Sequence, residues 1–366
     1  MTIVGTRPEL IRLSVTIKEL SKYTEHILVH TGQNYDYELN EIFFKDLGLP
    51  KPDFFLGAAD ASPSKTVGAI ISATDEVLAK CMPDAVFVLG DTNSALATYA
   101  AKRRKIPVFH AEAGNRCFDV RVPEELNRKI IDHISDVNMV YSDQARNNLI
   151  EEGLPLGRII KTGSPMAEVL AVFKPQIDKS EILSTLSLSP KEYFLFSLHR
   201  DENVSRPENI AVIAEIIKSI AAAHKKKILF PMHPRTKKAF KDAGISIDTV
   251  AEVVPPLGFF DFVHLQQHAL CVFSDSGTIS EESSLLGLTA LNLRESHERL
   301  EAMDEAAVMM VGLNPERILQ ALNILLAEEN WKVNIPRDYQ CDNVSKKILR
   351  IIVSYLDPSL RKIRQG

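Results

Sequence analysis

The chain of 366 residues is longer than one hydrophobic core usually serves, so its length predicts two domains. Hydrophobic residues make up 45% and charged residues 25%, which is typical of a globular protein and excludes a disordered composition. The formal net charge of −5 leaves no basic excess, which argues against nucleic acid as a partner.

The cysteine pattern gives no sign of a disulfide framework or a metal ribbon. Cys81, Cys117, Cys271 and Cys341 are far apart and form no CxxC pair. Cys271 lies in an apolar run and is expected to be a small buried hydrophobe. No apolar run approaches the length of a membrane span, and the N-terminus lacks a signal-peptide pattern. These features predict a cytoplasmic protein with no membrane partner.

The first half of the chain alternates short β-branched runs with longer amphipathic stretches, the pattern of βαβ units around a parallel sheet. The predicted strands cover residues 2–4, 26–30, 85–89, 108–111 and 137–141. Helices are predicted between them, for example over residues 9–20 and 63–80. The first strand is short for a doubly wound sheet, which favours a chain start upstream of Met1.

A second series of the same kind begins near Tyr193. Its predicted strands cover residues 193–197, 227–231, 250–253, 270–274 and 290–293, with helices at 207–224 and 280–286. A polar, proline-bearing stretch at 173–176 is predicted as a hinge. The domains are therefore expected at residues 1–172 and 173–342. Residues 343–366 are predicted to carry a C-terminal helix that packs back on the N-terminal domain, with the second domain as the alternative.

This organisation predicts an α/β fold of two Rossmann-like, doubly wound domains facing a central cleft. Ligands of open α/β sheets bind at the carboxyl ends of the strands. Side chains that carry chemistry are therefore expected directly after strands.

In the first half, polar motifs do follow the predicted strands. GTRPE at 5–9 leaves backbone N–H groups and Arg7 near a helix start, which suits an anion, although a surface arginine is the alternative. Asp91 in GDTNS either caps the next helix or belongs to a site. Glu112 lies on an inner strand, where an unpaired carboxylate is costly, and Glu124 is either a surface charge favoured by the helix dipole or a third site carboxylate. Three such carboxylates suit removal and return of a proton at one carbon.

In the second half, two strand ends carry motifs that suit phosphate. His199 beside Arg200 is typical of phosphate binding or leaving-group protonation. Residues 274–282 (SDSGTISEE) place small hydroxyl residues and a glycine at a helix start, which predicts a diphosphate cradle. Glu282, one turn into that helix, is expected to hold ribose hydroxyls. His233 in MHPR is a weaker candidate, with a solvated loop position as the alternative.

Several signatures of other enzyme classes are missing from the sequence. GxxxxGK[ST] and GxGxxG do not occur, which argues against an NTPase or a dinucleotide oxidoreductase, and there is no GxSxG elbow. His264 and His268 have metal-like spacing, but no glutamate lies between them, so surface helix positions are favoured. No metal and no cofactor are predicted.

The motifs GTRPE, GDTNS, HAEAGNR, PEExNR, HRxEN, SDSGTIxEES and HER occur in this order across nearly the whole chain. Together they resemble the non-hydrolysing UDP-N-acetylglucosamine 2-epimerase family. That resemblance implies the GT-B-like fold shared with many glycosyltransferases, a UDP-N-acetyl amino sugar as ligand, and a homodimer.

Within the family, the sequence resembles one branch in particular. The similarity lies in residues 112–119, 30–38 and 132–136. Members of that branch convert UDP-2-acetamido-2,6-dideoxy-L-talose to UDP-N-acetyl-L-fucosamine, a precursor of bacterial capsule and O-antigen sugars. Epimerases of UDP-N-acetylglucosamine, which form UDP-N-acetylmannosamine, more often have EAGLR at 112–116, and this substrate is the alternative. A glycosyltransferase of the same architecture, a hydrolytic relative and a silent nucleotide-sugar binder are alternatives of other kinds.

The resemblance implies a mechanism of UDP elimination and re-addition through a 2-acetamidoglycal. The family's acid/base positions are matched by Asp91, Glu112, Glu124 and His199. Its UDP-sugar positions are matched by Arg7, Arg12, Phe262, Ser276, Gly277, Thr278, Glu282 and Arg299. Core packing is the alternative for Phe262.

Two departures from the family pattern stand out. The usual HERPE is His297-Glu298-Arg299-Leu300-Glu301 here, so the helix after the arginine lacks its proline start. Some relatives bind UDP-N-acetylglucosamine at a second, activating site. Gln33, Arg200 and His233 match part of that site, whereas residues 34–36 depart from it, which argues against activation.

Overall fold

The computed structural model describes residues 1–32, 43–60, 62–119, 121–328 and 333–356. The chain divides into two compact units, a first unit of Met1–Val172 with Arg337–Gly366 and a second unit of Phe173–Pro336. Each unit is built on a parallel β-sheet. The predicted α/β class with two parallel-sheet domains is therefore confirmed.

The first sheet has seven strands among the described residues, in the order β3-β2-β1-β4-β5-β6-β7. They are β1 (Thr2–Val4), β2 (Leu28–His30), β3 (Phe54–Phe55), β4 (Val86–Leu89), β5 (Val108–Ala113), β6 (Val137–Val140) and β7 (Ile159–Lys161).

The helices of this unit are α1 (Arg7–Tyr23), α2 (Pro63–Cys81), α3 (Thr98–Arg103), α4 (Pro123–Ile134) and α5 (Asp143–Glu151), with α6 (Met166–Asp178) crossing the unit boundary.

The second sheet has six strands among the described residues, in the order β10-β9-β8-β11-β12-β13. They are β8 (Tyr193–Ser197), β9 (Lys227–Pro231), β10 (Glu252–Val254), β11 (Cys271–Ser274), β12 (Ala290–Asn292) and β13 (Met309–Met310).

The remaining helices are α7 (Ile182–Thr185), α8 (Asp201–Val204), α9 (Pro207–His224), α10 (Pro234–Asp242), α11 (Phe259–His268), α12 (Ile279–Leu286), α13 (Leu300–Asp304), α14 (Pro315–Ala327) and α15 (Val344–Tyr355).

In both sheets the strand order reverses at one point. β1 lies between β2 and β4, and β8 lies between β9 and β11. Connections leave in opposite directions on the two sides of such a point, which opens a crevice beyond the strand ends. The turns after β1, β4, β8 and β11 are therefore the places where each unit can hold a ligand.

Both faces of the central strands are buried, as expected for parallel sheets covered by helices. In β8, Phe194 and Phe196 belong to one hydrophobic cluster, while Tyr193 and Leu195 belong to the cluster on the other face. Cys271, on the neighbouring β11, is fully buried, which confirms its prediction as a small hydrophobe.

The C-terminal helix α15 belongs to the first unit and packs against α1. The carboxylate of Glu168 in α6 accepts hydrogen bonds from the backbone N–H of Ser345 at 2.8 Å and from its hydroxyl at 2.5 Å. Glu168 therefore fixes the first turn of α15.

The structure differs from the sequence expectations at sheet edges and at the unit boundary. The edge strands β3, β7 and β13 were missed, because each has only two or three residues and no readable pattern. The stretch predicted as a proline hinge is helical, since Pro175 lies inside α6. In the described part of the chain, no helix combines the length and apolar character needed to cross a bilayer.

Candidate active site

The turn between β1 and α1 is built around the buried carboxylate of Glu9. Its Oε2 accepts hydrogen bonds from the backbone N–H of Gly5 at 3.1 Å and from Thr6 Oγ1 at 2.7 Å. Its Oε1 accepts a third from Thr92 Oγ1 at 3.1 Å. Burial raises the pKa of Glu9 to about 7, although these hydrogen bonds act in the opposite direction. Glu9 therefore joins the two turns that flank the reversal point of the first sheet.

Gly5 is required by the close approach of neighbouring side chains to this turn. A Cβ atom on Gly5 would lie 1.9 Å from Ser94 Oγ and 2.2 Å from Thr31 Oγ1, and these two hydroxyls are hydrogen-bonded to each other at 2.7 Å. Arg7 begins α1 immediately beyond the turn, with its guanidinium carbon 5.4 Å from the ring centre of Phe43. Gly5 thus lets the strand end pack closely against Ser94 and Thr31, and Arg7 follows two residues later.

Glu112 lies within β5, as expected for a glutamate on an inner strand, and the strand runs two residues beyond its predicted end at residue 111. The register of β5 against β6 shifts between Ala111 and Ala113, and Glu112 has a φ of 63°, in the left-handed region that few non-glycine residues adopt. Its Oε2 accepts a hydrogen bond from Nη1 of Arg12. The side chains of Arg12 and Glu112 are only 6% and 13% exposed. A strained residue with a buried ionic partner is typical of a functional site.

Asp91 comes two residues after β4 and pairs with a buried arginine. Its Oδ2 accepts a hydrogen bond from Nε of Arg128 at 2.7 Å, and its backbone oxygen accepts one from Asn127 Nδ2 at 2.9 Å. The 3-10 turn Asn93–Ala97 follows. Its N-cap residue is Thr92 and not Asp91, and no side chain caps it. The alternative interpretation of Asp91 as a helix cap is therefore wrong.

The two glutamates at the start of α4 have different surroundings. Glu124 is half-buried, while Glu125 is buried and accepts hydrogen bonds from the backbone N–H groups of Cys117 at 3.1 Å and Phe118 at 3.3 Å. Nη1 of Arg128 donates to Oε2 of Glu125 at 2.7 Å. Burial alone would raise the pKa of Glu125, but these hydrogen bonds outweigh it and lower the pKa. Glu125 is therefore a buried, paired carboxylate and not a surface charge.

Sequence reasoning missed the role of Arg128, which bridges Asp91 and Glu125. The spacing of the PEELNR motif carries a signal for the second of these pairs, because residues three apart lie on one helix face. The pair with Asp91 depends on the packing of α4 beside the end of β4.

In the second unit, the fully buried Asp275 joins the turns after β8 and β11. Its carboxylate accepts hydrogen bonds from the backbone N–H of His199 at 3.1 Å, from that of Arg200 at 3.0 Å and from Asn203 Nδ2 at 3.1 Å. Nδ1 of His199 lies 3.4 Å from Oδ1 of Asp275, and 47% of the histidine side chain is exposed. Asp275 thus fixes the backbone of His199 and leaves its ring accessible.

The SDSGT turn holds a chain of hydrogen-bonded side chains at the start of α12. The hydroxyls of Ser276 and Thr278 lie 2.9 Å apart, and Thr278 Oγ1 donates to Glu282 Oε1 at 2.6 Å. Gln266 Nε2 donates to the other carboxylate oxygen of Glu282 at 2.7 Å. The hydroxyls therefore stand at a helix N-terminus with Glu282 held one turn further on.

Gly277 stands between these two hydroxyl residues and faces a buried ionic cluster. A Cβ atom on Gly277 would lie 2.4 Å from Glu298 Oε1 and 3.2 Å from Arg200 Nη2. Glu298 is itself held by Arg294 Nη1 at 3.0 Å and lies 3.7 Å from Arg200 Nη2. The turn has no room for a side chain at this position.

Arg299 is 1% exposed and directly precedes α13. Its Nη1 lies 3.5 Å from Oε2 of the buried Glu281 in α12. Leu300 begins α13, so the helix forms without the proline that the family pattern has there. The buried guanidinium of Arg299 therefore pairs with the helix that follows the Ser276–Thr278 turn.

The remaining predicted residues have varied positions. Phe262 in α11 is partly buried against the hydrophobic core, in line with its alternative interpretation as a packing residue. His233 caps α10, where its Nδ1 accepts a hydrogen bond from the backbone N–H of Arg235 at 3.2 Å. Gln33 lies outside the described residues.

The two parallel-sheet units, each with polar residues at the ends of its central strands, define an α/β protein of the GT-B-like class. The sequence profile of the UDP-N-acetylglucosamine 2-epimerase family matches residues 18–353. The chain therefore belongs to this family, and it is an enzyme of the isomerase class.

Two solved structures and one relative compared by sequence agree with this assignment. The UDP-N-acetylglucosamine 2-epimerase of Rickettsia bellii is 51% identical, with 98% of this chain and 96% of that chain covered and a TM-score of 0.88. The Methanocaldococcus jannaschii enzyme in complex with UDP-GlcNAc and UDP is 34% identical, with 96% and 99% covered and a TM-score of 0.90. A UDP-N-acetylglucosamine 2-epimerase sequence from Methanocaldococcus jannaschii is 35% identical over 340 residues, 90% of this chain and 93% of the relative.

Proposed function

We propose that this enzyme inverts C2 of a UDP-linked N-acetyl amino sugar by eliminating UDP and adding it back through a 2-acetamidoglycal. The observation that carries the proposal is the pair of carboxylates Asp91 and Glu112 at adjacent strand ends, each bonded to its own buried arginine. Inversion at one carbon requires a group that removes the proton and a group that returns one to the opposite face. Two separately held carboxylates meet that requirement, with Glu124 as a third.

Departure of UDP is the second requirement of this reaction. The C2–H bond lies next to no carbonyl of the ring, so its acidity is poor and loss of the proton must be assisted by loss of the diphosphate. Stabilising the leaving group is then a major catalytic contribution. The hydroxyls and backbone N–H groups of Ser276, Gly277 and Thr278, at the N-terminus of α12, are assigned to the diphosphate. The relative solved with UDP-GlcNAc and UDP supports a UDP ligand here.

The other residues take supporting roles in this proposal. His199, exposed and fixed through Asp275, is assigned to protonation of the leaving group. Glu282 is assigned to the ribose hydroxyls and Phe262 to the uracil. The remaining charged contacts to the UDP-sugar are assigned to Arg7, Arg12 and Arg299.

For the substrate we propose UDP-2-acetamido-2,6-dideoxy-L-talose, giving UDP-N-acetyl-L-fucosamine for a bacterial surface polysaccharide. This choice rests on the resemblance of residues 112–119, 30–38 and 132–136 to that branch, including EAGNR at 112–116, where the glucosamine epimerases more often have EAGLR. UDP-N-acetylglucosamine is the second candidate, favoured by the names of the relatives that are 51% and 35% identical. Both candidates require the same chemistry at C2 and differ at C6 and in ring configuration.

The test is solvent deuterium entry at C2 in heavy water, followed by NMR, with each nucleotide sugar supplied separately and no acceptor present. We expect exchange and an inverted product with the 6-deoxy-L-talo compound. Exchange with UDP-N-acetylglucosamine alone would replace that substrate with the second candidate. Release of free sugar would show a hydrolytic relative, and transfer to an acceptor without C2 exchange would show a glycosyltransferase.

We also propose that the enzyme works as a cytoplasmic homodimer. Family resemblance supports the dimer, and light scattering on the purified protein measures it directly. A monomer at working concentrations would contradict this part of the proposal.

A further inference from the structure

A fully enclosed histidine lies beneath the carboxylates of the first unit. His110 in β5 is 1% exposed. Its Nε2 lies 2.8 Å from the backbone oxygen of Gly90, and its Nδ1 lies 2.9 Å from Oδ1 of Asp132, although at an angle too bent for a linear hydrogen bond. Both ring nitrogens therefore face oxygen atoms in a space closed to water.

These two oxygens restrict the charge of the ring. The carbonyl of Gly90 can only accept. The carboxylate of Asp132 already accepts hydrogen bonds from Arg116 Nη1 at 2.7 Å and from the backbone N–H of Gly114 at 3.2 Å. A neutral imidazole has one N–H and would turn a lone pair toward one of these acceptors. Only the imidazolium presents an N–H toward both oxygens, as a hydrogen bond to Gly90 and as a close ion-pair contact to Asp132.

The charges around His110 agree with this state. Burial by itself lowers the pKa of His110, but the adjacent carboxylate of Asp132, the carbonyl of Gly90 and the charge of Asp91 outweigh it, so the pKa is raised. On the neighbouring strand β6, the residue in register with His110 is the uncharged Asn138, whose side-chain amide donates to the backbone oxygen of Asp132 at 2.9 Å.

The buried charges around His110 also balance one another. Arg116 forms a two-bond contact with Glu152, with both nitrogen–oxygen distances at 2.7 Å. His110 and Arg116 are then matched by Asp132 and Glu152, two cations against two anions. A buried charge persists in a folded protein when its partners are present in this way.

His110 and Asp132 contact backbone atoms close to both Asp91 and Glu112. Gly90, whose carbonyl faces His110, has a φ of 70° and directly precedes Asp91. Gly114, whose N–H is held by Asp132, comes two residues after Glu112. The same buried pair therefore fixes backbone atoms next to each carboxylate.

We propose that His110 and Asp132 form a permanently charged imidazolium–carboxylate pair that positions Asp91 and Glu112 for the reaction, an inference that rests on the proposed function. His110 is thus a positioning residue, which touches no substrate and acts through the turn at Gly90 and the strand that carries Glu112. A displacement of a reacting group by about 1 Å can cost about a hundredfold in rate, so the pair matters for turnover more than for substrate affinity.

The first experiment measures the charge in the unaltered enzyme. ¹⁵N NMR of protein labelled at its ten histidines, recorded from about pH 6 to about pH 9, is expected to show one imidazole protonated at both nitrogens throughout the neutral range. The spectrum of His110→Gln identifies that signal by its loss. If no imidazole of the unaltered enzyme stays protonated at both nitrogens through the neutral range, the inference is overturned, whether or not any variant folds.

The second experiment separates positioning from binding. In His110→Gln and Asp132→Asn we expect kcat for C2 exchange to fall about tenfold or more, with KM changed by less than about threefold. The double variant is expected to lose no more than the worse single variant, because both residues belong to one unit. His133→Gln is the matched control, since His133 is the next residue along α4 and its 46% exposed side chain makes only an outer contact to Glu152, so kcat should be unchanged.

The two experiments distinguish failure of the proposed function from failure of the role proposed for His110. Absence of C2 exchange in the unaltered enzyme defeats the proposed function, while the NMR measurement still decides the charge of His110. Normal exchange in the unaltered enzyme together with normal kcat in folded His110→Gln defeats the positioning role alone.

Discussion

The guanidinium of Arg12, in the first helix, donates through Nη1 to Oε2 of Glu112, one hundred residues further along the chain. Glu112 holds a left-handed backbone conformation in a bulge of β5, so its carboxylate is aimed by a strained backbone and held by a buried cation. A buried cation is also present beside it, where Arg128 pairs with Asp91. Asp91 and Glu112 thus each have a charged partner within the protein itself.

Removing the cation from the first pair should reduce both stability and activity. Arg12→Met removes the buried cation that pairs with the nearly buried carboxylate of Glu112, and we expect a loss of about 3 kcal/mol in the free energy of unfolding. Turnover should fall by about tenfold or more. Urea unfolding and C2 exchange measure the two effects. The control is Arg104→Met, whose pair with Asp75 is 35% and 45% exposed and should contribute under about 1 kcal/mol. If both variants lost the same free energy of unfolding, burial would not make the Arg12–Glu112 pair more stabilising than an exposed pair.

The proposed acid/base roles predict a specific kinetic pattern. Asp91→Asn and Glu124→Gln keep the shape of each side chain but remove its ability to exchange a proton, so turnover should fall about a hundredfold or more. UDP affinity, measured by calorimetry, should change little. Glu76→Gln, at an exposed position in α2, is the control for loss of one negative charge. Near-normal turnover in Glu124→Gln would show that its assigned role is wrong.

The UDP affinity of Gly277→Ala tests whether residues 276–278 bind the diphosphate. In Gly277→Ala the new methyl group would meet Glu298 Oε1 at 2.4 Å and Arg200 Nη2 at 3.2 Å, so the turn must move away from the buried ionic cluster. We expect UDP affinity to drop about tenfold while the protein stays folded, since a clash confined to one turn acts locally. Gly68→Ala is the matched control, because Gly68 lies in α2 with no atom within 4 Å of its added Cβ. Unchanged UDP affinity in Gly277→Ala would place the cradle elsewhere.

Glu9 predicts a pH dependence of stability. Its pKa of about 7 in the folded protein lies above the ordinary 4.5, so the folded state binds more protons than the unfolded state between these values. Ionising Glu9 therefore costs stability progressively as the pH rises through this window, reaching on the order of 3 kcal/mol above it. Glu9→Gln should gain stability relative to the unaltered protein between about pH 5 and about pH 8, as measured by urea unfolding. A difference that is constant with pH would contradict the raised pKa.

The alternating pattern of the sequence predicted the central strands well, since buried parallel strands are short apolar runs bounded by turns. β1, β8 and β9 have the predicted bounds, and the other central strands differ by one or two residues. Edge strands such as β13 were missed, because a segment of two residues carries no periodicity. Pro175 indicated a break, yet α6 continues through it. Local preference was overridden there by the surrounding helix.

The candidate site was predicted in part. Asp91 and Glu112 were identified as unusual because they follow or end inner strands, where carboxylates are costly. The pairing of these carboxylates with Arg128 and Arg12 was not predicted, although the resemblance named Arg12 as a UDP-sugar residue, because both arginines lie on helices and leave no local sign of a distant ionic partner. Asp275 was read only as part of a motif, although it is fully buried and joins two turns.

The sequence by itself determined the alternation of strands and helices and the order of polar motifs at strand ends, because both are written in residues close together along the chain. Only the tertiary structure decided which charges meet, such as Arg12 with Glu112 and His110 with Asp132. These pairings depend on strand order, sheet register and the packing of helices onto the sheet, which are set by contacts between distant segments and leave no local pattern.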